Sequence, residues 1–298
     1  MEGNTLMRSF NNLHPICIFT YFVSIIVLIL LCMNPIVLIM ACIGAMLFLL
    51  HLDDWSSLLG WLKMLLPMLL IITIANALFN HRGVTRLFMV FGQWITLEAV
   101  CYGITSGFSL AAMILWFACY QKIMTSDKFL YLFGKIAPAT ALLISMALNL
   151  VPKLQGQLKQ IQESQEMLLT KKDERFWHLK KALRYMSALL GWSLENTVEQ
   201  ADSMKARGYG LRKRTTFHLF RFETKDLWFL GLCMILAGCC MIGRFCGFGT
   251  MEFYPRMDAI VYGFSDVIFY ITFLILAMLP GILEWKEELS WRFYNLKE

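Results

Sequence analysis

The stretch from Ile16 to Met33 reads ICIFTYFVSIIVLILLCM and contains no charged residue. A helix of about twenty apolar residues is long enough to cross the hydrocarbon core of a bilayer. A secretory signal peptide is followed by a cleavage site of small residues, and no such pattern follows this stretch. We therefore interpret it as a retained membrane span.

The composition of the chain extends this interpretation. Hydrophobic residues make up 58% of the 298 residues, the mean hydropathy is +0.59, and the apolar residues fall in long blocks. These properties predict an all-α, polytopic membrane helix bundle with about six spans. The predicted spans are residues 16–33, 36–50, 62–79, 97–120, 227–242 and 260–283.

Two features of the apolar blocks allow more than one interpretation. Residues 136–151 are apolar but short and are cut by Pro138 and Pro152, so they form either a short span or a helix at the membrane interface. Glu98 lies at the start of the fourth span, where we expect an interfacial carboxylate. A buried functional carboxylate is the alternative.

The net positive charge is concentrated in one segment. Residues 152–226 contain fifteen Lys or Arg and nine Asp or Glu, and this excess equals the net charge of +6 of the whole chain. The positive-inside rule predicts that this segment is cytoplasmic. With the N-terminus also inside, four spans return the chain to the cytoplasm at Tyr120, and both termini are cytoplasmic.

These predictions divide the chain into three parts. Residues 1–151 form an N-terminal transmembrane domain, 152–226 a cytoplasmic domain of amphipathic helices, and 227–298 the last two spans and a cytoplasmic tail. Three helices are expected in the cytoplasmic domain, over residues 153–169, 174–192 and from 193 onward. Such helices pack on one another or lie on the bilayer surface, where basic residues meet anionic lipid.

The third of these helices reads SLENTVEQADSMKARGYGL from Ser193 to Leu211. Lys205 and Arg207 lie in its last turn, and Gly208 follows as the expected left-handed C′ residue. Arg207 is therefore predicted at a helix tip, where its forked guanidinium, flanked by Ala206 and Gly208, suits an acidic groove on a partner. The competing interpretation is a cation that only ends a helix, which is favourable without any partner.

Several kinds of chemistry find no support in the sequence. The nine cysteines show no paired metal-ligand spacing, so we predict reduced, packed or lipid-facing thiols and no metal site. No Gly-x-x-x-x-Gly-Lys-Ser/Thr loop is present, so the chain is not expected to hydrolyse ATP. The basic segment has no nucleic-acid-reading motif and is tethered between spans, so we expect no nucleic-acid partner.

Six motifs in a fixed order carry a resemblance to a known family. They are Leu13-His14-Pro15, Asn76-Ala77-Leu78-Phe79-Asn80, Ile95-Thr96-Leu97-Glu98, Met124-Thr125-Ser126-Asp127-Lys128-Phe129-Leu130, Asn149-Leu150-Val151-Pro152 and Glu199 to Gly210. Their order and spacing resemble the transmembrane T component (cobalt-transport Q-like permease) of energy-coupling factor (ECF) transporters. These transporters are bacterial ABC-type importers for vitamins and transition-metal ions.

The resemblance implies a non-catalytic scaffold in the bacterial plasma membrane. Such a scaffold holds a small membrane protein that binds the substrate, the S component, and its cytoplasmic coupling helices join it to two ABC ATPase subunits. The chain itself would bind no cofactor, because ATP and Mg²⁺ are held by the partner subunits. The residues do not separate a vitamin from a transition-metal ion as the substrate.

In this family two coupling helices end in Ala-Arg-Gly motifs, and each motif docks in a groove of one ATPase. The resemblance places the second motif at Ala206, Arg207 and Gly208. The chain departs from the pattern at the first motif and in its additional C-terminal span, residues 260–283. The first motif falls on Gln165, Glu166, Met167 and Leu168, where only the glutamine matches.

Two interpretations of the degenerate first motif remain open. Glu166 pairs with a base on the ATPase, beside an apolar contact through Met167 and Leu168. Alternatively, Lys171 or Lys172 replaces the missing arginine after a register shift.

Two other classes of protein are alternatives to the ECF family. The string Glu287-Glu288-Leu289-Ser290-Trp291-Arg292 matches the Glu-Glu-x-x-x-Arg pattern of membrane-embedded CAAX-type proteases. That family also needs later histidines, and none follows Arg292 here. The second alternative is an ABC-type permease domain or membrane scaffold outside the ECF family, which would not bind a separate six-span substrate-binding protein.

Overall fold

Helices make up most of the computed structural model, which describes residues 10–53, 55–80, 83–90, 93–134, 137–168, 177–211, 220–254 and 263–295. In chain order the elements are the 3-10 helix η1 (Phe10–Asn12), α1 (Pro15–Leu31), α2 (Pro35–Leu52), α3 (Trp55–Phe79), β1 (Arg86–Val90), β2 (Gln93–Thr96), α4 (Leu97–Ile123), α5 (Ser126–Gly134), α6 (Pro138–Leu168), α7 (Trp177–Ala206), α8 (Thr224–Phe245) and α9 (Phe264–Asn295).

Five described helices are long and apolar enough to cross a membrane: α2, α3, α4, α8 and the part of α9 that ends at Lys286. They coincide with five of the six predicted spans, and the helical, multi-pass membrane class is confirmed at this level. The remaining span corresponds to α1, which is apolar but has only 17 residues. That length is at the lower limit for a crossing helix, so the crossing of α1 stays a prediction.

A short β-hairpin between α3 and α4 is an exception to the predicted all-α chain. Strands β1 and β2 pair antiparallel, with Met89 opposite Trp94 and Val90 opposite Gln93. The guanidinium of Arg86 lies 5.5 Å from the centre of the Trp94 ring. Aromatic and β-branched residues favour a strand here, and the sequence analysis described this segment only as an interfacial link.

The chain forms two compact units. Unit 1 comprises residues 1–129 and 220–298, and unit 2 comprises residues 130–219. The two transmembrane parts that the sequence analysis separated thus belong to one unit. The expected boundary at residues 151 and 152 lies inside α6, which continues through Pro152 for a total of 31 residues. A break was expected because an interior proline removes a backbone hydrogen bond and costs about 3 kcal/mol, and this expectation was wrong.

The core of unit 1 is centred on an aromatic residue from the N-terminal segment. Phe10 is 0% exposed. Its ring makes edge-on contacts with Tyr21, Phe22, Phe48 and Phe229, at centroid distances of 5.5 to 6.2 Å. Edge-to-face pairs of this kind add stability beyond the burial of their area. Phe10, which precedes α1 in the chain, is therefore part of the core.

Helices α3 and α4 approach each other closely at two glycines of α4. A Cβ atom at Gly103 would lie 3.0 Å from the backbone of Thr73, and one at Gly107 would lie 3.2 Å from the side chain of Leu69. Glycines four residues apart let two helix backbones come together in a membrane, where packing replaces the hydrophobic effect as the driving force. Larger residues at these positions would force the helices apart.

Contacts between the termini of neighbouring helices stabilise one end of unit 1, which we call the Asp226 face. These contacts join the start of α1 to the start of α8, the end of α2 to the end of α4, and the segment before α1 to α5. They are His14 N–H to Asp226 Oδ1 (3.0 Å), Lys122 to Asp53, and Lys128 Nζ to the Asn11 carbonyl (2.7 Å).

The other end of unit 1, the Asn34 face, gathers the opposite ends of the helices. Its contacts are Asn34 Nδ2 to the Gly249 carbonyl (3.2 Å), Asn80 Nδ2 to the Tyr254 hydroxyl (2.9 Å), and Arg244 Nε to the Leu31 carbonyl (2.8 Å). The two sets of contacts mean that α1 to α4 alternate in direction. The chain accordingly leaves unit 1 after α4 and returns at α8 on the same face, as the predicted even number of crossings requires.

One buried carboxylate on the Asp226 face caps two helices. Asp226 Oδ1 accepts the His14 N–H at the start of α1, and Oδ2 accepts the N–H of Glu223, the N-cap of α8, at 2.9 Å. His14 is itself the N-cap of α1, and its Nδ1 accepts the Ile16 N–H at 3.3 Å. The histidine of the Leu13-His14-Pro15 motif therefore has a structural position at a helix start.

Candidate functional site

Helix α7 unites two of the three helices that were predicted for the basic segment. It runs without a break for 30 residues, a length of about 45 Å. The predicted start at Ser193 is not a helix start, because the Ser193 hydroxyl donates to the Leu190 carbonyl at 3.0 Å instead of capping a new helix. Serine side chains form such bonds within helices as well as at helix caps.

The C-terminal end of α7 has the geometry of a Schellman motif. The Gly208 N–H donates to the Lys205 carbonyl at 2.9 Å, and the Tyr209 N–H donates to the Met204 carbonyl at 3.1 Å. Gly208 has φ = 82°, a conformation that L-residues with a side chain adopt at a cost. The prediction that Gly208 is the C′ residue is confirmed.

Arg207 is exposed at this helix end, as are Ala206, Tyr209 and Leu211. Leu211 is 83% exposed, and its N–H donates to the Gly208 carbonyl at 3.2 Å, so the turn continues past the glycine. Apolar surface therefore lies beside the guanidinium. Arginine and tyrosine are over-represented among the residues that dominate binding energies at protein interfaces.

An apolar stripe runs along the exposed side of α7. Its residues recur at helical spacing, and each is more than half exposed. They are Leu179, Leu183, Met186, Leu190, Leu194 and Val198. An exposed apolar patch of this length is typical of a surface that binds another protein or a membrane.

The end of α6 carries the degenerate first motif. Glu166 Oε1 accepts a hydrogen bond from Lys181 Nζ of α7 at 2.8 Å, so its cationic partner belongs to the same chain. This hydrogen bond raises the pKa of Lys181 above its ordinary value. The ammonium also lies 5.0 Å from the centre of the Trp177 ring. Sequence analysis missed Lys181, because a pair between two helices leaves no local signal.

The other residues of the first motif differ in their surroundings. Met167 is 87% exposed, whereas Gln165 is half-buried and its Oε1 has no hydrogen-bond partner among the described residues. Leu168 is the last residue of α6, and its side chain lies outside the described part of the chain. Lys171 and Lys172, the proposed substitutes for the missing arginine, also lie outside it.

The structure does not bring the two motifs together. Because Glu166 at the end of α6 contacts Lys181 near the start of α7, the two helices form an antiparallel pair. Arg207 is at the far end of α7, and a rise of about 1.5 Å per residue places it roughly 40 Å from Lys181. Unit 2 therefore presents two separate helix ends.

Glu98 has a structural role that its interfacial assignment did not anticipate. Its side chain is 2% exposed, and Oε1 accepts the N–H groups of Val84 and Thr85 at 3.3 and 3.1 Å. A Cβ atom at Gly83 would lie only 2.5 Å from Oε2, so the approach requires glycine. Glu98 thus fastens the start of the hairpin to the start of α4.

Two further predictions concern the cysteines as metal ligands and the protease-like string near the C-terminus. All nine cysteines are free thiols, and the described residues contain no group of three or more His, Cys, Asp or Glu that could hold a metal ion. The protease-like string from Glu287 to Arg292 lies on α9. This helix continues through most of the predicted C-terminal tail and ends at Asn295. The side chains of that string are outside the described part of the chain.

The fold and the composition define a multi-pass helical membrane protein. No protein-family model matches the sequence, and no curated protein matches it either.

Proposed function

We propose that this chain is the transmembrane T component of an ECF-type importer. In this role it transmits ATP-driven movement from two cytoplasmic ABC ATPases to a membrane S component that binds a vitamin or a transition-metal ion. The observation that carries the proposal is the exposed Arg207 on the Schellman-capped end of α7. The family motif Ala206-Arg207-Gly208 coincides with this helix end.

The geometry of the helix end suits mechanical coupling. An α-helix of 30 residues is stiff along its axis, so a displacement at its end moves its whole length. The guanidinium supplies a permanent charge and a rigid set of donors that can bind a carboxylate through two hydrogen bonds. The small Ala206 and Gly208 allow the wall of a groove to approach closely.

The apolar stripe of α7 supports the second half of the role. A subunit that holds a hydrophobic S component needs an uncovered apolar surface, and the stripe from Leu179 to Val198 provides one. In this proposal the ATPases dock at the helix ends, and the S component and the bilayer cover the stripe.

The proposal leaves the chemistry of ATP to the partners. The chain is a non-catalytic subunit in the bacterial plasma membrane, with unit 2 and both termini in the cytoplasm. The ATPase at the end of α6 would meet a different surface, since Glu166 is paired with Lys181 and the exposed Met167 is one of the residues that stand where the family has an arginine and a glycine. The two ATPases would thus be held unequally.

The test is purification of the tagged chain from its native membrane in mild detergent, with mass spectrometry of the proteins that accompany it. We expect two ATPases with phosphate-binding loops and one small hydrophobic protein. Arg207→Ala should lower ATPase recovery and uptake of the ligand of that small protein at least tenfold, because truncation leaves a carboxylate of the groove unpaired.

Arg184→Ala is the matched control, since Arg184 is an exposed arginine of the same helix that lies far from its C-terminal end. It should retain both ATPases. Recovery of the chain without ATPases, or equal recovery from both variants, would contradict the proposal.

A further inference from the structure

The α4–α5 corner contains a buried amine that the proposed coupling role does not use. Lys128 lies in the first turn of α5 and is 6% exposed. Its Nζ donates to the carbonyl and to the side-chain Oδ1 of Asn11, both at 2.7 Å, and to the carbonyl of Ile123 at 3.2 Å. A lysine ammonium has three donors, and all three are used here by uncharged oxygens.

The two residues that meet at this corner connect different parts of the fold. Asn11 follows Phe10, whose ring lies in the aromatic core between α1, α2 and α8. Lys128 directly precedes Phe129, the residue at which the chain leaves unit 1. Lys128 therefore fastens the exit of the chain from unit 1 to a segment that is itself anchored in the core.

We propose that Lys128 is a positioning residue, which holds the segment Phe10–Asn12 against the start of α5 and so fixes the direction in which the chain leaves unit 1. We call the segment Phe10–Asn12 the strap. Phe10 anchors the strap through apolar contacts, and the three hydrogen bonds of Lys128 anchor it through polar ones. The inference depends on the fold of unit 1 and not on the transporter assignment, so neither the ATPases nor the S component is needed to test it.

The stability of the contact between the strap and Lys128 should depend on pH, and the burial of Lys128 determines whether it rises or falls. Burial lowers the pKa of Lys128 from 10.5 to about 8, so the fastened state binds its proton less tightly than a released state in which the amine is in water. Between about pH 8 and 10.5 the released state holds more protons, so rising pH favours the fastened state. Below about pH 8 both states are protonated and the balance is constant.

Other titratable groups on the neighbouring elements must be separated from Lys128. They are His14, Asp53, Tyr120, Lys122, Asp127, Asp226 and Glu284. Lys128→Arg leaves all of them in place and substitutes a permanent charge, and Lys128→Met removes both the charge and the donors. Lys122→Met is the matched control, because Lys122 is a partly exposed lysine on the same corner that pairs with Asp53.

The measurement is amide hydrogen exchange of the purified full chain in detergent, followed by mass spectrometry of peptides that cover residues 10–20 and 120–134. At pH 7 we expect Lys128→Met to exchange about tenfold faster in both peptides, with α8 unchanged. After correction for intrinsic rates, wild-type protection of residues 10–20 should rise from pH 7.5 to 9.5, as should that of Lys122→Met. Lys128→Arg should show no such rise.

Two results would overturn the proposal. One is that both peptides of Lys128→Met exchange as slowly as those of the wild-type protein at pH 7. The other is a rise of protection with pH that persists in Lys128→Arg, which would assign the response to another group. If Lys128→Met loses protection in every helix or does not fold, the comparison of wild type with Lys128→Arg decides.

Discussion

The two units of the molecule differ in how they satisfy their apolar residues. Helices α1, α2, α4, α8 and α9 of unit 1 bury apolar side chains against each other, and unit 1 contains a continuous aromatic core. Among the described residues of α6 none is buried, and on α7 only Tyr185 is. Unit 1 thus has an interior of its own, whereas the apolar stripe of α7 in unit 2 is exposed in the described part of the chain.

The largest expected effect comes from truncating one side chain in each unit. Phe10→Ala should destabilise unit 1 by about 3 to 5 kcal/mol, because it leaves a cavity among four aromatic rings. Leu194→Ala on the exposed stripe of α7 should change stability by less than about 0.5 kcal/mol in the isolated chain. Unfolding in detergent measures both, and comparable losses would mean that the stripe is covered within the chain itself.

A second, smaller effect tests the close approach of α3 and α4. Gly103→Leu should cost about 1 to 3 kcal/mol, because even a Cβ atom there would lie 3.0 Å from the backbone of Thr73. Gly238→Leu on α8 is the control, since a Cβ atom at Gly238 meets nothing within 4 Å. Equal unfolding midpoints for the two variants would show that α3 and α4 can separate without loss.

Local sequence signals predicted the long apolar helices of unit 1 well. Uninterrupted apolar runs predicted the positions of five candidate spans, because a membrane helix satisfies its backbone within itself and needs only length and hydrophobicity. The end of α7 was predicted for a similar reason. A Schellman motif involves only neighbouring residues, and Gly208 after the basic last turn is sufficient to indicate it.

Features that depend on distant residues were not predicted. The continuity of α6 through Pro152 and the hairpin at Arg86–Val90 and Gln93–Thr96 differ from the predictions. The partners of His14 and Glu166, which are Asp226 and Lys181, are remote in sequence, and no spacing rule connects them. What these helix ends bind in a complex is a property of partner surfaces, and for Arg207 it remains a proposal.

The third prediction compares two glycines within α7. Gly208→Ala should destabilise the end of the helix by about 1 kcal/mol, because φ = 82° strains a residue with a Cβ atom. Gly191→Ala should stabilise the same helix by up to about 1 kcal/mol, since Gly191 is a mid-helix position with nothing within 4 Å of an added Cβ atom. Amide exchange along α7 measures both, and the same sign for both variants would contradict the capping role.

The smallest expected effect concerns the pair that ties α6 to α7. The pKa of Lys181 is raised by its hydrogen bond to Glu166, so the pair stabilises the helix hairpin below the ordinary lysine value of 10.5. This contribution is lost as the pH rises through the higher pKa of the folded state. Spin labels at the end of α6 and the start of α7 should give a narrow distance distribution at neutral pH. The distribution should broaden as the pH rises above 10.5, and in Lys181→Met it should be broad at every pH.

Lys159→Met is the control. It removes an exposed pair with Glu163 within α6 and should leave the distribution narrow, because that pair does not connect the two helices. A narrow distribution in Lys181→Met would mean that apolar contacts alone hold α6 against α7, and unit 2 would then resemble unit 1 more than its exposed surface indicates.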